Sequence, residues 1–191
     1  KTIMMSGDWI PLDLPNKIKA FDNKIKVISL GGATEASIWS IFYEIESFNN
    51  NWNSIPYGKP LSNQKMYVLN DSLEICPEYI DGYIYIGGEG LAKSYYNDQE
   101  KTNKSFIIHP QTKERLYKTG DLGRFLPEGY IEFLGREDHQ VKINGYRIEI
   151  GEIETLLIKH EKISNVIVIT SKDKYNKKLI AYLEIKENLD D

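Results

Sequence analysis

A single cysteine, Cys76, stands among 191 residues. One thiol excludes an intramolecular disulfide framework and leaves a multi-cysteine zinc site short of ligands. Long apolar runs are missing as well: none approaches the roughly 20 residues that cross a bilayer as a helix. The opening Lys1-Thr2-Ile3-Met4-Met5-Ser6-Gly7-Asp8 has too short an apolar stretch for a signal peptide and reads as a chain that starts mid-strand. Excess positive charge is lacking too. Lysine plus arginine total 24 against 28 for aspartate plus glutamate, a formal net charge of −4. No global field therefore favours nucleic acid or a membrane surface, and the expectation is a cytoplasmic protein partnered with neither. The three histidines, His109, His139 and His160, have neither metal-ligand spacing nor a serine or cysteine in a nucleophile motif, so surface or packing roles are expected. Cys76, between Ile75 and Pro77, reads as a packed thiol.

What is present is globular. The chain is 41% hydrophobic and 12% aromatic, too apolar for disorder and long enough for one or two cores. Lys24 to Leu30 alternates, is rich in β-branched residues and reads as a strand running into Gly31-Gly32. Asn49 to Pro60, with two prolines and a glycine, reads as a surface loop. Met66–Leu69 and Gly82–Ile86 read as short strands, and Leu91 to Phe106 as a polar, weakly helical stretch. Tyr117–Thr119, Arg124–Leu126 and Tyr130–Leu134 follow as closely spaced strands, the last two joined by a tight turn at Pro127-Glu128-Gly129. The middle third is thus a small antiparallel β unit. Past Arg136-Glu137-Asp138 the pattern changes: Ile153, Leu156 and Leu157 share a face of an amphipathic helix over Gly151–Lys159. Strands at Val166–Thr170 and Leu179–Ile185 then form a hairpin.

Four segments carry the chemistry. Gly31-Gly32-Ala33-Thr34-Glu35 ends a strand: paired glycines admit a bulky anion, a hydroxyl bonds phosphate oxygen, and a carboxylate holds Mg2+. Taken alone it is more readily a glycine-rich turn with a solvated Thr-Glu pair. Gly87-Gly88-Glu89-Gly90-Leu91-Ala92 favours a plain turn. In Tyr117-Lys118-Thr119-Gly120-Asp121-Leu122, an aspartate just past a strand suits either two ribose hydroxyls or an Asx turn. The stretch from Gly135 to Glu154 combines an arginine fork with flanking glycines, the make-up of a hinge beside a ligand or of a charged linker.

In this order, GGATE, GYIYIGGEGLAKSYY, YKTGDL and GREDHQVKINGYRIEIGEIE, spanning residues 31–154, resemble the adenylation domains of nonribosomal peptide synthetases, within the adenylate-forming, AMP-binding superfamily. The QVKI-G-RIE-GEIE pattern is the specific part. Tyr83 departs from the family, which usually has glutamate there, and the strand pattern is expected to tolerate it.

The resemblance implies a mixed α/β and α+β fold. Residues 1–60 would be the end of the large substrate and ATP core, 61–137 a small β-barrel-like subdomain, and 138–191 the hinge and start of a mobile α+β C-terminal subdomain. It implies a ligase that joins an amino acid to ATP as an aminoacyl adenylate, with Mg2+, and passes it to the phosphopantetheine thiol of a partner carrier domain. Thr34 would contact the α-phosphate and Glu35 would hold Mg2+, these two being the catalytic pair. Gly32, Ala33, Thr34, Asp121 and Arg136 would bind the nucleotide, with Asp121 on the ribose, and Asp138 would be the hinge.

Met4, Ser6, Leu30, Ile38 and Trp39 align with half of the amino acid pocket, and that half resembles cysteine-activating domains. Glycine is the alternative substrate. The family's SGTTG-like phosphate loop and its NGK-type lysine motif do not occur in the chain. The chain therefore reads as a slice of a larger synthetase, inactive by itself, and its end falls where related domains accept an inserted tailoring domain. A non-catalytic structural or interaction role is the alternative for such a slice.

Overall fold

The computed structural model describes residues 1–7, 9–46, 52, 54–137, 140–143, 146–171 and 177–186. Contacts divide the chain into two compact units, one of Lys1–Ser6 with Ile10–Glu137, the other of Gly7–Trp9 with Asp138–Asp191.

The first unit holds two sheets. In one, β1 (Thr2–Met5) pairs in parallel with β2 (Lys26–Gly31), β2 pairs antiparallel with β3 (Ile41–Glu44), and β3 with the short β4 (Lys59–Pro60). A parallel pair needs a crossover, and helix α1 (Leu14–Phe21) lies between β1 and β2 in the chain. Pro15 sits in its first turn, where the missing N–H has no intrahelical partner to lose. Ile18 of α1, with Met5, Ile10, Leu12 and Tyr43, packs on the buried cluster Ile25, Val27, Ile45 and Ile55.

The other sheet is wholly antiparallel. It contains β5 (Gln64–Leu69), β6 (Gly82–Gly88), β7 (Phe106–Ile108), β8 (Arg115–Phe125) and β9 (Ile131–Arg136). Their order is β5-β6-β8-β7, with β9 also on β8. Where two short strands were expected, at Tyr117–Thr119 and Arg124–Leu126, a single 11-residue strand runs through Gly120 and Asp121. Register shifts near Tyr83/Tyr85 and Leu122/Gly123 absorb the irregularity instead of breaking the strand. The helix expected over 91–106 shrinks to α2 (Gln99–Ser105), which Asp98 caps by accepting from the Lys101 N–H at 2.8 Å.

The loop over 49–60 is not the surface feature expected where it is described. Ser54, Ile55, Pro56 and Gly58 are buried, because Tyr57 N–H donates to Ile131 O at 2.8 Å and Ile131 N–H returns a bond to Gly58 O at 2.9 Å. The segment is stitched to β9. Ile41 of the first sheet and Ala36, from the turn between β2 and β3, share one core with Met66, Val68, Ile84, Ile86, Tyr117 and Ile131 from the second. Each such aliphatic side chain contributes about 1.5–3 kcal/mol by leaving water, so the two sheets are held as one body.

In the second unit β10 (Gln140–Ile143) and β11 (Tyr146–Glu149) form an antiparallel pair, followed by α3 (Ile150–Leu157) and the hairpin β12 (Ile163–Thr170) and β13 (Leu179–Ile185). Leu156 is 66% exposed, so the inward face of α3 differs from the expected one: Ile150 is buried and Ile153 and Leu157 are half-buried. Positions i, i+3 and i+7 fall on one stripe, and Leu156 falls off it.

Candidate active site

At the end of β2 the chain turns through Gly32, whose φ of +144° suits glycine. A Cβ there would lie 2.6 Å from Ile38 O and 2.7 Å from Ser40 N. Thr34–Ala36 then forms one 3-10 turn. Ile38 N–H donates to Ala33 O at 2.9 Å and Ser40 N–H to Gly31 O at 2.8 Å, closing the loop on itself. Thr34 is exposed, while Glu35 beside it is only 6% exposed.

A buried carboxylate needs hydrogen bonds. The Tyr95 hydroxyl donates to Glu35 Oε1 at 2.6 Å. Burial first, and then the hydrogen bond to Glu35, raise the Tyr95 phenol above its ordinary value. Ala92 N–H donates to Glu35 O at 2.8 Å, and Ser37 Oγ donates to Gly90 O at 2.8 Å. Where a plain turn was expected over Gly87–Ala92, Gly87 and Gly88 end β6 and only Glu89 and Gly90 turn, and the segment beyond receives the Thr34–Glu35 loop.

Asp121 lies inside β8 opposite Arg136 of β9, not past the end of a strand. Arg136 Nη1 donates to Asp121 Oδ1 at 2.9 Å, and each side chain is 15% exposed. Asp121 N–H donates to Thr119 Oγ1 at 3.0 Å, and Thr119 Oγ1 donates to Ile84 O at 2.7 Å, fixing the strand locally. A carboxylate and a guanidinium side by side offer an acceptor suited to sugar hydroxyls and a cation suited to phosphate.

Among the other expected residues, Trp39 Nε1 donates to Ser6 Oγ at 3.2 Å. Met4, Ile38 and Trp39 are exposed at 59, 64 and 42%, and Leu30 is buried. Met4 faces Ile28 in the parallel register of β1 and β2. Asp138, and with it Asn144 and Gly145 of the long motif, lies outside the described residues. Tyr83 holds its place in β6, with the Lys118 ammonium 5.0 Å from its ring centre. His109 packs: its Nε2 meets Leu73 O at 2.8 Å, and Nδ1 accepts from the Gln111 and Thr112 N–H groups. Nδ1 is the acceptor, so Nε2 carries the proton. Cys76 is 3% exposed and its thiol is pushed up, by burial first and then by Asp81.

Sequence reasoning missed two tyrosines. Tyr95 reaches Glu35 across 60 positions and Tyr57 reaches Gly32 across 25. No spacing rule signals pairs that only tertiary folding brings together.

A sequence model of AMP-binding enzymes matches residues 1–96. Bacitracin synthase 1 of Bacillus licheniformis is 56% identical over 169 residues, covering 88% of this chain and 3% of that protein. The chain belongs to the AMP-binding enzymes, as part of a nonribosomal peptide synthetase adenylation domain. Among solved structures, the nonribosomal peptide synthetase FmoA3 bound to alpha-methyl-L-serine-AMP matches this segment with a TM-score of 0.70 and 46% identity, over 72% of this chain and 16% of that one. The artificially fused adenylation-PCP didomain NpsA-ThdA from Klebsiella oxytoca matches with a TM-score of 0.81 and 30% identity, over 98% of this chain and 35% of that one. The adenylation-domain segment spans between 3% and 17% of the length of the curated relatives it matches. No helix among the described residues is long and apolar enough to cross a membrane.

Proposed function

We propose that the chain works within an enzyme that activates L-cysteine with ATP as an aminoacyl adenylate and delivers it to the phosphopantetheine thiol of a carrier domain. The amino acid carboxylate oxygen bonds to the α-phosphorus of ATP, and the bond to pyrophosphate breaks. Such a step is served by positioning and charge neutralisation. The observation that carries this reading is the gathering, in one compact unit, of the Gly31–Glu35 loop with its buried carboxylate and the Asp121–Arg136 pair. Thr34, exposed on the loop, is assigned to the α-phosphate, with Gly32 and Ala33 lining its approach. Asp121 is assigned to the ribose hydroxyls and Arg136 to the nucleotide, with Asp138 as the hinge.

Glu35 fits Mg2+ as a single hard oxygen ligand, because this ion takes one or two carboxylates together with substrate phosphates. Among the described residues no group of three or more His, Cys, Asp or Glu gathers into a protein-only cage. When bound, the ion would neutralise phosphate charge; Tyr95 would keep the Glu35 carboxylate oriented toward it.

For the substrate, Trp39 donates to Ser6, while Met4 and Ile38 are exposed and Leu30 is buried; assigned together to the pocket, they would offer apolar side chains with one small polar group. That suits a short side chain with a weakly polar tip. The alpha-methyl-L-serine adenylate in FmoA3 carries a similarly short side chain, tipped by a hydroxyl, which supports a small substrate with a polar tip over glycine. The carrier-domain partner is supported by PA1221, a nonribosomal peptide synthetase protein that contains adenylation and PCP domains.

The test is amino-acid-dependent exchange of pyrophosphate into ATP by the synthetase polypeptide that carries this chain. Cysteine should give the strongest exchange. Strong exchange with a large aromatic amino acid and none with cysteine would refute the substrate assignment, and no exchange with any amino acid would refute the activity.

A further inference from the structure

We propose that Tyr57 is a positioning residue of the nucleotide site, a strut that sets the Gly31–Glu35 loop against the strand carrying Arg136. The inference rests on the activity proposed above. Tyr57 is bound at both ends. Its backbone N–H donates to Ile131 O at 2.8 Å, and the adjoining Gly58 bridges Ile131 in the same strand, β9. Its ring lies 5.7 Å from that of Phe133, also of β9. At the far end its hydroxyl accepts the Gly32 N–H at 2.9 Å.

The ring also fills space that a side chain at position 31 would need. A Cβ on Gly31 would fall 1.7 Å from Tyr57 Cε2 and 2.4 Å from Cζ. Gly31 and Tyr57 are therefore complementary: the strand end gives up its side chain, and a tyrosine from the segment before β4, bonded to β9 of the other sheet, takes the place. Burial, then the charge of Asp121, push the phenol well above its usual range, so the hydroxyl stays protonated while it accepts from Gly32. Asp121 and Arg136 are near enough to bear on Tyr57 electrostatically. One side chain thus touches the loop that carries Thr34 and Glu35, and its backbone is bonded into the strand that ends at Arg136.

A strut of this kind acts on the fit of the nucleotide and leaves the amino acid pocket alone. Tyr57→Phe keeps the ring and removes the bond to Gly32. In the intact synthetase, the KM for ATP in pyrophosphate exchange should rise roughly three- to tenfold, the effect of one lost neutral hydrogen bond. The KM for the amino acid and the kcat should stay within about twofold of the parent. Gly31→Ala should give the same ATP phenotype by displacing the ring, and Tyr57→Ala should relieve the Gly31→Ala clash, so that the double variant binds ATP no worse than Tyr57→Ala alone. Binding of AMP by calorimetry should follow the same order.

An unchanged KM for ATP in Tyr57→Phe would overturn the proposal. So would a parallel loss of kcat and of affinity for both substrates with a lowered melting temperature, which is the mark of a merely structural role. If the parent synthetase shows no amino-acid-dependent exchange, the failure belongs to the assigned activity. If the parent is active and Tyr57→Phe treats ATP as the parent does, the failure belongs to the strut.

Discussion

Asp121 and Arg136 stand directly opposite each other on β8 and β9, with Nη1 2.9 Å from Oδ1 and both side chains largely shielded from water. Removing one partner costs the other a charge-assisted hydrogen bond, about 1.5–3 kcal/mol. Asp121→Ala should therefore lower the stability of the enzyme by about 2 kcal/mol and cut its ATP-dependent exchange roughly ten- to hundredfold. The Asp121→Ala, Arg136→Ala double variant should lose less stability than the sum of the singles, as read by denaturant unfolding.

Tyr95→Phe deletes the donor to a carboxylate that is 6% exposed. Hydrogen bonds to charged groups are worth about 1.5–3 kcal/mol, and thermal unfolding should register a loss of that order. The raised phenol of Tyr95 adds a pH signature. Its contribution is complete below the ordinary titration of tyrosine and fades as pH rises through the higher folded value, so the variant should lack that share of the alkaline loss.

Glu114 accepts from the Tyr67 hydroxyl at 2.6 Å and faces Lys65 Nζ at 2.9 Å. Burial opposes its ionisation, yet the bonds from Tyr67 and Lys65 prevail and hold its carboxyl below the usual value. Burial and the bond to Glu114 push Tyr67 up to about 12. A depressed carboxyl stabilises above its unfolded value and loses that contribution as pH falls through the folded one. Glu114→Gln should thus be less stable than the parent at neutral pH by on the order of 1 kcal/mol. The gap should close below the ordinary carboxylate range, as melting curves across pH would reveal.

Trp39→Phe removes the indole donor to Ser6 while keeping an aromatic ring. The KM for cysteine should rise roughly three- to tenfold with the KM for ATP unchanged. A shift in the ATP term alone would assign Trp39 to the wrong substrate.

Strands with strong β-branched alternation were legible from residue order: the one expected at Lys24–Leu30 occupies Lys26–Gly31, and Gly82–Ile86 extends only to Gly88. The motif order was legible too, because backbone-forming glycines and charged residues recur at set spacings. Other elements hid for physical reasons. Gly120-Asp121 reads as a break, yet cross-strand pairing on both sides of β8 overrides that local weakness. Helix α1 opens on Leu-Pro-Asn and is only eight residues long, too short for a helical period to stand out, so its packing through Ile18 identifies it. Within the site, Gly32, Glu35, Asp121 and Arg136 were named from motifs, but that Asp121 meets Arg136 depends on register, which no motif encodes. Tyr57 and Tyr95 were invisible because each acts on a loop far away in sequence.

Ser37 and Ile38 follow one another in left-handed backbone, at φ of 62° and 71°. For L-residues this region costs roughly 1–2 kcal/mol each, and for a β-branched side chain it is a true outlier. The surrounding hydrogen bonds from Ile38 to Ala33 and from Ser40 to Gly31 hold it there. An asparagine at position 38 would sit in that conformation more comfortably than the isoleucine does. Under the proposed substrate assignment, asparagine or glycine at position 38 would alter the chemistry displayed there while relieving the backbone, because these residues accept the left-handed turn that the isoleucine occupies under strain.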